Sequence, residues 1–113
     1  MSKILLLLIL AIASVESEQD PNAYNQSEDA VGYLQIRPIY VRDVNRILGE
    51  DRYSLDDRWD KDKSVEMFII YTDHYYNHYK DRIDAVGMCE LEARARMHNG
   101  GRNGWRRNST NGY

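Results

Sequence analysis

Hydrophobic and polar residues form blocks along the first half of the chain that favour helices separated by a turn. Residues 4–13 are continuously apolar, whereas residues 19–27 are rich in turn formers. They end any helix begun earlier, because Pro21 disfavours helix at the residue before it. Pro38 suits the first turn of another helix, whose apolar residues follow helical spacing up to Gly49. The first half of the chain therefore predicts helical segments on either side of a turn-rich stretch.

Two further helices are predicted in the second half of the chain. The longer one runs from about residue 61 to residue 79, and the shorter one covers residues 88–98, before a pair of glycines. One face of the longer helix carries residues at helical spacing: Val65, Phe68, Ile69, Thr72, Tyr75, Tyr76 and Tyr79. Residues 31–36 fit an extended segment or a tight loop. The predicted fold is mainly α, with a short irregular or β segment around residues 22–36.

The apolar segment at the N-terminus has two interpretations. One is a signal peptide, with Lys3 as its positive region and the small residues that end at Ala13 as its cleavage site. The other is a first core helix, because Leu, Ile and Ala favour helix and an apolar helix must be buried. The segment is too short to span a bilayer, although it leaves membrane association open. Composition does not separate these interpretations.

Length and charge add an asymmetry to this picture. A chain of 113 residues fits one domain, over residues 1–113. The formal net charge of −3 divides into −8 for residues 1–92 and +5 for residues 93–113. The basic groups of this C-terminal segment are Arg94, Arg96, Arg102, Arg106 and Arg107. A solvated loop, phosphate contacts or contacts with an anionic cell-wall polymer would each explain them, but the acidic body opposes a nucleic-acid partner.

Other reactive side chains are expected to be structural. Cys89 is the single cysteine, so it forms no intramolecular disulfide and is expected to be a buried, unreactive thiol. His74 and His78 have metal-ligand spacing on a helix, but no companion cluster accompanies them. We therefore expect no metal and no cofactor. The neighbouring tyrosines are expected to pack, and residues 51–62 to form a solvated, partly paired surface.

Glu16 is the candidate for acid–base chemistry, because it lies at the end of the most apolar segment of the chain. Burial beside Leu, Ile and Ala would raise the pKa of its carboxyl group. A carboxyl group that keeps its proton near neutral pH is what a general acid requires. A helix-end glutamate that simply points into water is the alternative interpretation.

Further motifs accompany Glu16 in a recognisable order. They are AIASVES at residues 11–17, DPNA at residues 20–23, VGYLQIRP at residues 31–38, MHNGG at residues 97–101 and the terminal Tyr113. This order resembles the lysozyme-like domain of soluble lytic transglycosylases, which has a helix-ending Glu-Ser, a Gly-Leu-Met-Gln-type loop before a proline, an Ala-Tyr-Asn-x-Gly turn and then a tyrosine. The resemblance extends over residues 7–113. The chain departs from the pattern in two places. Tyr33-Leu34 replaces the usual Leu-Met, and His98 replaces a residue that is commonly tyrosine in the family.

The resemblance implies a lysozyme-like single domain that cleaves the β-1,4 bond between N-acetylmuramic acid and N-acetylglucosamine in peptidoglycan. Glu16 would protonate the leaving oxygen and then act as base while the muramyl 6-hydroxyl closes a 1,6-anhydro ring. Ser17 would help to hold Glu16, whereas Gln35, Asn99 and Tyr113 would line the sugar-binding cleft or position the acid. The glycines beside Gln35 and Asn99 fit backbone that approaches the substrate closely.

Two alternatives stay open. Most glycosidases use two carboxylates, and Asp20, Glu28 and Asp29 are available near Glu16 in the sequence, so a hydrolytic, lysozyme-type reaction is one alternative. The other is a non-catalytic protein on the same scaffold that binds peptidoglycan or associates with a membrane.

The resemblance also implies where and on what the protein acts. The expected partners are peptidoglycan glycan strands, and the expected state is a monomer. The expected location is the periplasm or cell wall, reached by export or through a lysis system. The family normally continues past the tyrosine that matches Tyr113, so a truncated C-terminus is expected. The basic segment is expected to flank a cleft for an anionic glycan.

Overall fold

The structure, a computed structural model, describes residues 1–106 and is mainly helical. The elements in chain order are α1 (Lys3–Ser17), β1 (Tyr24–Asn25), β2 (Ala30–Val31), α2 (Pro38–Leu48), a 3-10 helix (Leu55–Trp59), α3 (Lys61–Ala85), α4 (Glu90–Gly100) and a second 3-10 helix (Gly104–Arg106). The strands pair antiparallel, Tyr24 with Val31 and Asn25 with Ala30. The prediction of a mainly α, lysozyme-like fold with a short β segment around residues 22–36 is confirmed.

α1 covers the apolar N-terminal segment but is buried on one side only. The Ser2 hydroxyl accepts a hydrogen bond from the backbone N–H of Leu5, which caps the first turn. Ile12 is buried, whereas Ile4 and Leu7 are 61% and 60% exposed. The expectation that this whole segment would be buried as a core helix is therefore wrong for its first two turns. Its chain direction places those turns farthest from the helix end that bears Glu16.

The later helices follow their sequence signals. α2 has Pro38 in its first turn and ends at Gly49, whose φ of 71° lies in the left-handed region, as predicted. α3 begins at Lys61 as expected but continues to Ala85. Buried Ile83 extends the face of the helix beyond its expected end. α4 covers Glu90–Gly100, close to the predicted residues 88–98.

One expectation about the side chains of α3 and α4 is confirmed and another is wrong. The tyrosines of α3 are buried, as packing residues should be: Tyr71, Tyr75, Tyr76 and Tyr79. Cys89, by contrast, is exposed and occupies the N-cap position of α4, so the expectation of a buried thiol is wrong.

The chain divides into two compact units, Met1–Ile70 and Tyr71–Tyr113, with the boundary inside α3. The buried side chains of the first unit are mostly aliphatic, whereas those of the second include four tyrosines and Trp105. Whether residues 1–113 behave as one domain stays a prediction. Within the described residues, no helix is long and apolar enough to cross a membrane.

Candidate active site

Glu16 lies in the last turn of α1, and its side chain is half-buried. Burial raises the pKa of its carboxyl group above the ordinary glutamate value, and the charge of Glu28 raises it further. Arg37 lowers the same pKa, but its effect is the smallest of the three. The C-terminal end of a helix carries partial negative charge, which also disfavours a carboxylate there. The environment of Glu16 therefore favours the protonated form, as a general acid requires.

Ser17 joins the end of α1 to the loop that follows β2. Its hydroxyl is buried and lies 2.7 Å from the carbonyl oxygen of Tyr33 and 3.1 Å from that of Ala13. The first contact links residues that are 16 positions apart in the chain. Ser17 thus fixes the backbone beside Glu16 against the segment that carries Gln35, which agrees with a supporting position for Ser17.

Gln35 has an unusual backbone conformation, and the NH₂ group of its side chain is fully engaged in hydrogen bonds. Its φ of 51° lies in the left-handed region, which residues other than glycine seldom adopt. Its side-chain Nε2 donates to the carbonyl oxygens of Ala23 at 3.2 Å and Gly32 at 3.0 Å. Both amide hydrogens are therefore engaged, and the side chain can offer a ligand only its carbonyl oxygen.

Arg58 holds the same loop in place from within the first unit. Its buried guanidinium group donates to the carbonyl oxygens of Leu55 at 2.9 Å, Asp29 at 2.7 Å and Ile36 at 3.1 Å. Asp29 lies in the turn between the strands, Leu55 begins the 3-10 helix, and the carbonyl oxygen of Ile36 also accepts from the backbone N–H of Val31, so Arg58 adds to the short local pairing of this backbone. Arg58 therefore fixes the loop that contains Gln35 without belonging to it.

Gly32 is required by the close approach of two backbone segments. A Cβ atom at this position would lie 2.0 Å from the carbonyl oxygen of Arg58, and the φ of Gly32 is 86°. The protein's own backbone is therefore one reason for this glycine, and its close approach to substrate stays a prediction. Gly101, near Asn99, has φ of 84° and ends α4.

Three carboxylates were candidates for a partner to Glu16, and their contacts distinguish them. Asp20 accepts a hydrogen bond from the backbone N–H of Asn22 at 2.8 Å, and Asp29 pairs with Arg58 at 3.6 Å. Glu28 is exposed in the turn between the strands, and its charge acts on Glu16. Glu28 is therefore the candidate that the electrostatics favour.

The remaining predicted site residues lie in the second unit. Asn99 is exposed in the last turn of α4. Tyr113 lies outside the described residues. The structure thus brings Glu16, Ser17 and Gln35 into one unit through the contact of Ser17 with the loop, while the roles of Asn99 and Tyr113 stay predictions.

The C-terminal arginines have different environments: Arg102 and Arg106 are exposed, and Arg107 lies outside the described residues. Arg94 is buried on α4, where it binds Thr72, Asp73 and Glu90. Arg102 lies over the rings of two tyrosines and donates to the hydroxyl of Tyr79 at 3.1 Å. Arg94 and Arg102 thus stabilise the second unit itself, while contacts of the basic segment with an anionic glycan stay a prediction.

Sequence reasoning missed two residues around Glu16. Arg58 was assigned with residues 51–62 to a solvated surface, but Arg58 and Tyr53 in this stretch are buried. Arg37 belongs to the VGYLQIRP motif at residues 31–38, and the sequence suggested no role for it, although it is the cation that acts on Glu16. A lone arginine beside Pro38 at a helix start could have signalled Arg37, whereas no sequence pattern marks Arg58. Among the described residues, no group of three or more metal-binding side chains could hold a metal ion.

Comparisons with known proteins agree with this arrangement. The family model of the transglycosylase SLT domain matches residues 1–108. The chain is 30% identical over 105 residues to invertebrate-type lysozyme 6 of Caenorhabditis elegans. The matched region covers 90% of this chain and 76% of that protein. It is also 29% identical over 83 residues to invertebrate-type lysozyme 3 of the same organism, which covers 73% of this chain and 60% of that protein. No solved structure gives a significant match. The chain therefore belongs to the transglycosylase SLT domain family, a family of lysozyme-like enzymes that cleave peptidoglycan.

Proposed function

We propose that the protein is a lytic transglycosylase in which Glu16 is the general acid and base. The observation that carries the proposal is the half-buried position of Glu16 at the end of α1, where burial and Glu28 together raise the pKa of its carboxyl group. A protonated carboxyl group in this position can donate to the glycosidic oxygen between N-acetylmuramic acid and N-acetylglucosamine.

The reaction needs one carboxyl group in two successive roles. Glu16 gives its proton to the leaving oxygen as the bond from that oxygen to the muramyl anomeric carbon breaks. The muramyl 6-hydroxyl then forms a new bond to the same carbon, and its proton returns to Glu16. Ser17 holds the backbone next to Glu16, and Gln35 offers an accepting oxygen to a hydroxyl or amide N–H of the glycan. Substrate-binding roles for Asn99 and Tyr113 belong to the same proposal.

Hydrolysis is the second candidate, and Glu28 is the observation that favours it. A second carboxylate close enough to affect the pKa of Glu16 could activate a water molecule or stabilise the positive charge of the transition state. The relatives named lysozyme support this alternative. In that case the muramyl product would end in a reducing sugar and contain no anhydro ring.

We further propose that the partner is peptidoglycan and that the protein acts on it outside the cytoplasm as a monomer. Membership of the SLT family supports the choice of substrate. The exposed apolar side chains in the first two turns of α1 keep membrane association as an open proposal.

Replacement of Glu16 by glutamine tests the assignment of the acid. We expect E16Q to lose nearly all clearance of purified sacculi, because glutamine cannot donate a proton and general acid catalysis contributes about 10²–10⁴-fold in rate. The matched control is E18Q, which makes the same chemical change at an exposed residue just beyond α1. Wild-type clearance by E16Q would contradict the proposal.

Mass spectrometry of the released muropeptides separates the two reactions. Anhydro-muramyl ends are lighter than hydrolysed ends by one water, and we expect the anhydro form. Reducing ends alone would favour hydrolysis with Glu28. If the wild-type protein bound sacculi and released no sugar, the non-catalytic alternative would be correct.

A further inference from the structure

Tyr24 and Trp59 form an exposed aromatic pair in the first unit. Tyr24 belongs to β1, and Trp59 ends the 3-10 helix that precedes α3. Their ring centroids are 6.1 Å apart and the ring planes are inclined at 39°. The two residues are 53% and 41% exposed, so much of each ring is open to solvent.

This exposure distinguishes the pair from the other tyrosine and tryptophan residues of the chain. Within residues 1–106, every other one is buried: Tyr33, Tyr40, Tyr53, Tyr71, Tyr75, Tyr76, Tyr79 and Trp105. Exposed aromatic groups that touch each other are an apolar surface patch, which commonly marks a binding site. The patch needs an occupant with an apolar face of about the size of one or two rings.

Backbone contacts connect the pair to the candidate active site. Ala23, next to Tyr24, accepts hydrogen bonds from the amide of Gln35 and from the backbone N–H of Gly32. On the other side, Arg58 precedes Trp59 and binds the carbonyl oxygens of the same loop. Each aromatic residue is therefore one position away from a group that fixes the loop of Gln35.

We propose that Tyr24 and Trp59 form a subsite on which a pyranose ring of the glycan stacks, beside the cleavage point. The proposal rests on the proposed function, because it assigns a further part of the same substrate to this surface. The axial C–H groups of a pyranose carry partial positive charge, and the face of an aromatic ring carries partial negative charge.

The polar residues around the pair favour a sugar over a lipid or an apolar protein surface. Asn25 accepts a hydrogen bond from the Ser27 hydroxyl and lies 3.4 Å from Glu28, and all three side chains are exposed. Asp60 follows Trp59 and is also exposed. Amide, hydroxyl and carboxylate groups match the hydroxyl rim of a sugar, whereas acidic side chains oppose an anionic membrane.

The two tryptophans of the chain provide an internal control in one experiment. We would titrate ¹⁵N-labelled E16Q protein, which cannot cleave, with the tetramer of N-acetylglucosamine and record the indole N–H signals. The signal of exposed Trp59, assigned with W59F, should shift in step with the backbone signal of Gln35, while that of buried Trp105 stays in place. A shift at Gln35 without any shift at Trp59 would overturn the proposal.

Variants of the pair should weaken binding without affecting the acid. We expect Y24A and W59A each to bind the tetramer about tenfold more weakly, which corresponds to about 1.4 kcal/mol. W59F should recover most of the affinity, because it keeps an aromatic face. The control is L55A, which removes an exposed apolar side chain from the same 3-10 helix. Wild-type affinity of Y24A/W59A would reject the subsite, whereas full activity of E16Q together with weaker binding by Y24A and W59A would reject the assignment of the acid and not the subsite.

Discussion

Two buried arginines, Arg58 in the first unit and Arg94 in the second, bind different kinds of partner. Arg58 donates to backbone carbonyl oxygens, and its contact with the carboxylate of Asp29 is 3.6 Å long. Arg94 donates to the side chains of Thr72, Asp73 and Glu90 and lies over the ring of Tyr76. One arginine shapes a loop, and the other joins helical residues within its own unit.

The difference lies in what happens to the partners when the arginine is removed. The carbonyl oxygens bound by Arg58 are fixed in the backbone, so they cannot turn to solvent when the guanidinium group is lost, although that of Ile36 keeps the backbone N–H of Val31 as a donor. The carboxylates bound by Arg94 are 51% and 48% exposed, so water can solvate them after the arginine is lost. The arrangement predicts that two equally buried arginines contribute unequally to stability.

Removal of Arg58 should have the larger effect. We expect R58M to lower the free energy of unfolding by about 3 kcal/mol, because three backbone carbonyl oxygens together lose the donors of a buried guanidinium group and cannot move to other ones. R58K should recover little, since one ammonium group cannot reproduce the planar set of donors. Urea unfolding measures the change, and exposed Arg52, which pairs with Glu50, provides the control R52M. An R58M protein as stable as R52M would contradict the assigned role of Arg58.

Removal of Arg94 should have a smaller effect on the same measurement. We expect R94M to lower the free energy of unfolding by about 1–2 kcal/mol, since methionine keeps contact with Tyr76 and the acids turn to solvent. Buried Thr72 loses one partner, which accounts for most of the cost. If R94M were more destabilised than R58M, the distinction between backbone and side-chain partners would be wrong.

The same distinction explains how much could be predicted from the sequence. Pro38 and Gly49 mark α2, and the spacing of Phe68, Thr72 and Tyr75 marks the buried face of α3, because helix signals are local. The burial of Arg58 depends on carbonyl groups 22 and 29 positions away, and no residue type marks a carbonyl group. The helices could therefore be predicted, whereas the conformation of the loop that contains Gln35, which Arg58 holds, could not.

The candidate site divides in the same way. The partial burial of Glu16 followed from its position after an apolar helix, so its raised pKa could be anticipated. The orientation of Gln35 could not, because its left-handed φ occurs at a residue type that rarely adopts it. The exposure of Trp59 could not be predicted either, because it depends on which parts of the folded chain cover its ring.

Charge around Glu16 should affect catalysis more than stability. Activity requires protonated Glu16, so kcat/KM should fall as the pH rises through its pKa. E28Q removes a charge that raises this pKa and should move the fall to lower pH. R37M removes a charge that lowers it and should move the fall to higher pH, without loss of a helix cap, because the Arg37 side chain makes no cap hydrogen bond.

A pH profile of glycan cleavage for each variant measures these shifts, with R52M as the control for a general change of charge. Both shifts should shrink at high salt, because the groups are only partly screened from solvent. Shifts of E28Q and R37M in the same direction would show that the pKa of Glu16 does not determine the profile.

The smallest expected effect is a gain of stability in E16Q that depends on pH. The fold raises the pKa of Glu16, so the folded state holds the proton more tightly than the unfolded chain does. That contribution to stability is complete below the unfolded pKa of about 4.3 and disappears as the pH rises through the folded value. Glutamine has no proton to lose, so E16Q should unfold at a higher temperature than the wild type near neutral pH and show little difference at low pH. An equal difference at both pH values would mean that shape, and not ionisation, causes the difference in stability. Ionisation of the half-buried carboxyl group would then not destabilise the fold, and there would be no loss of stability to explain by its role in catalysis.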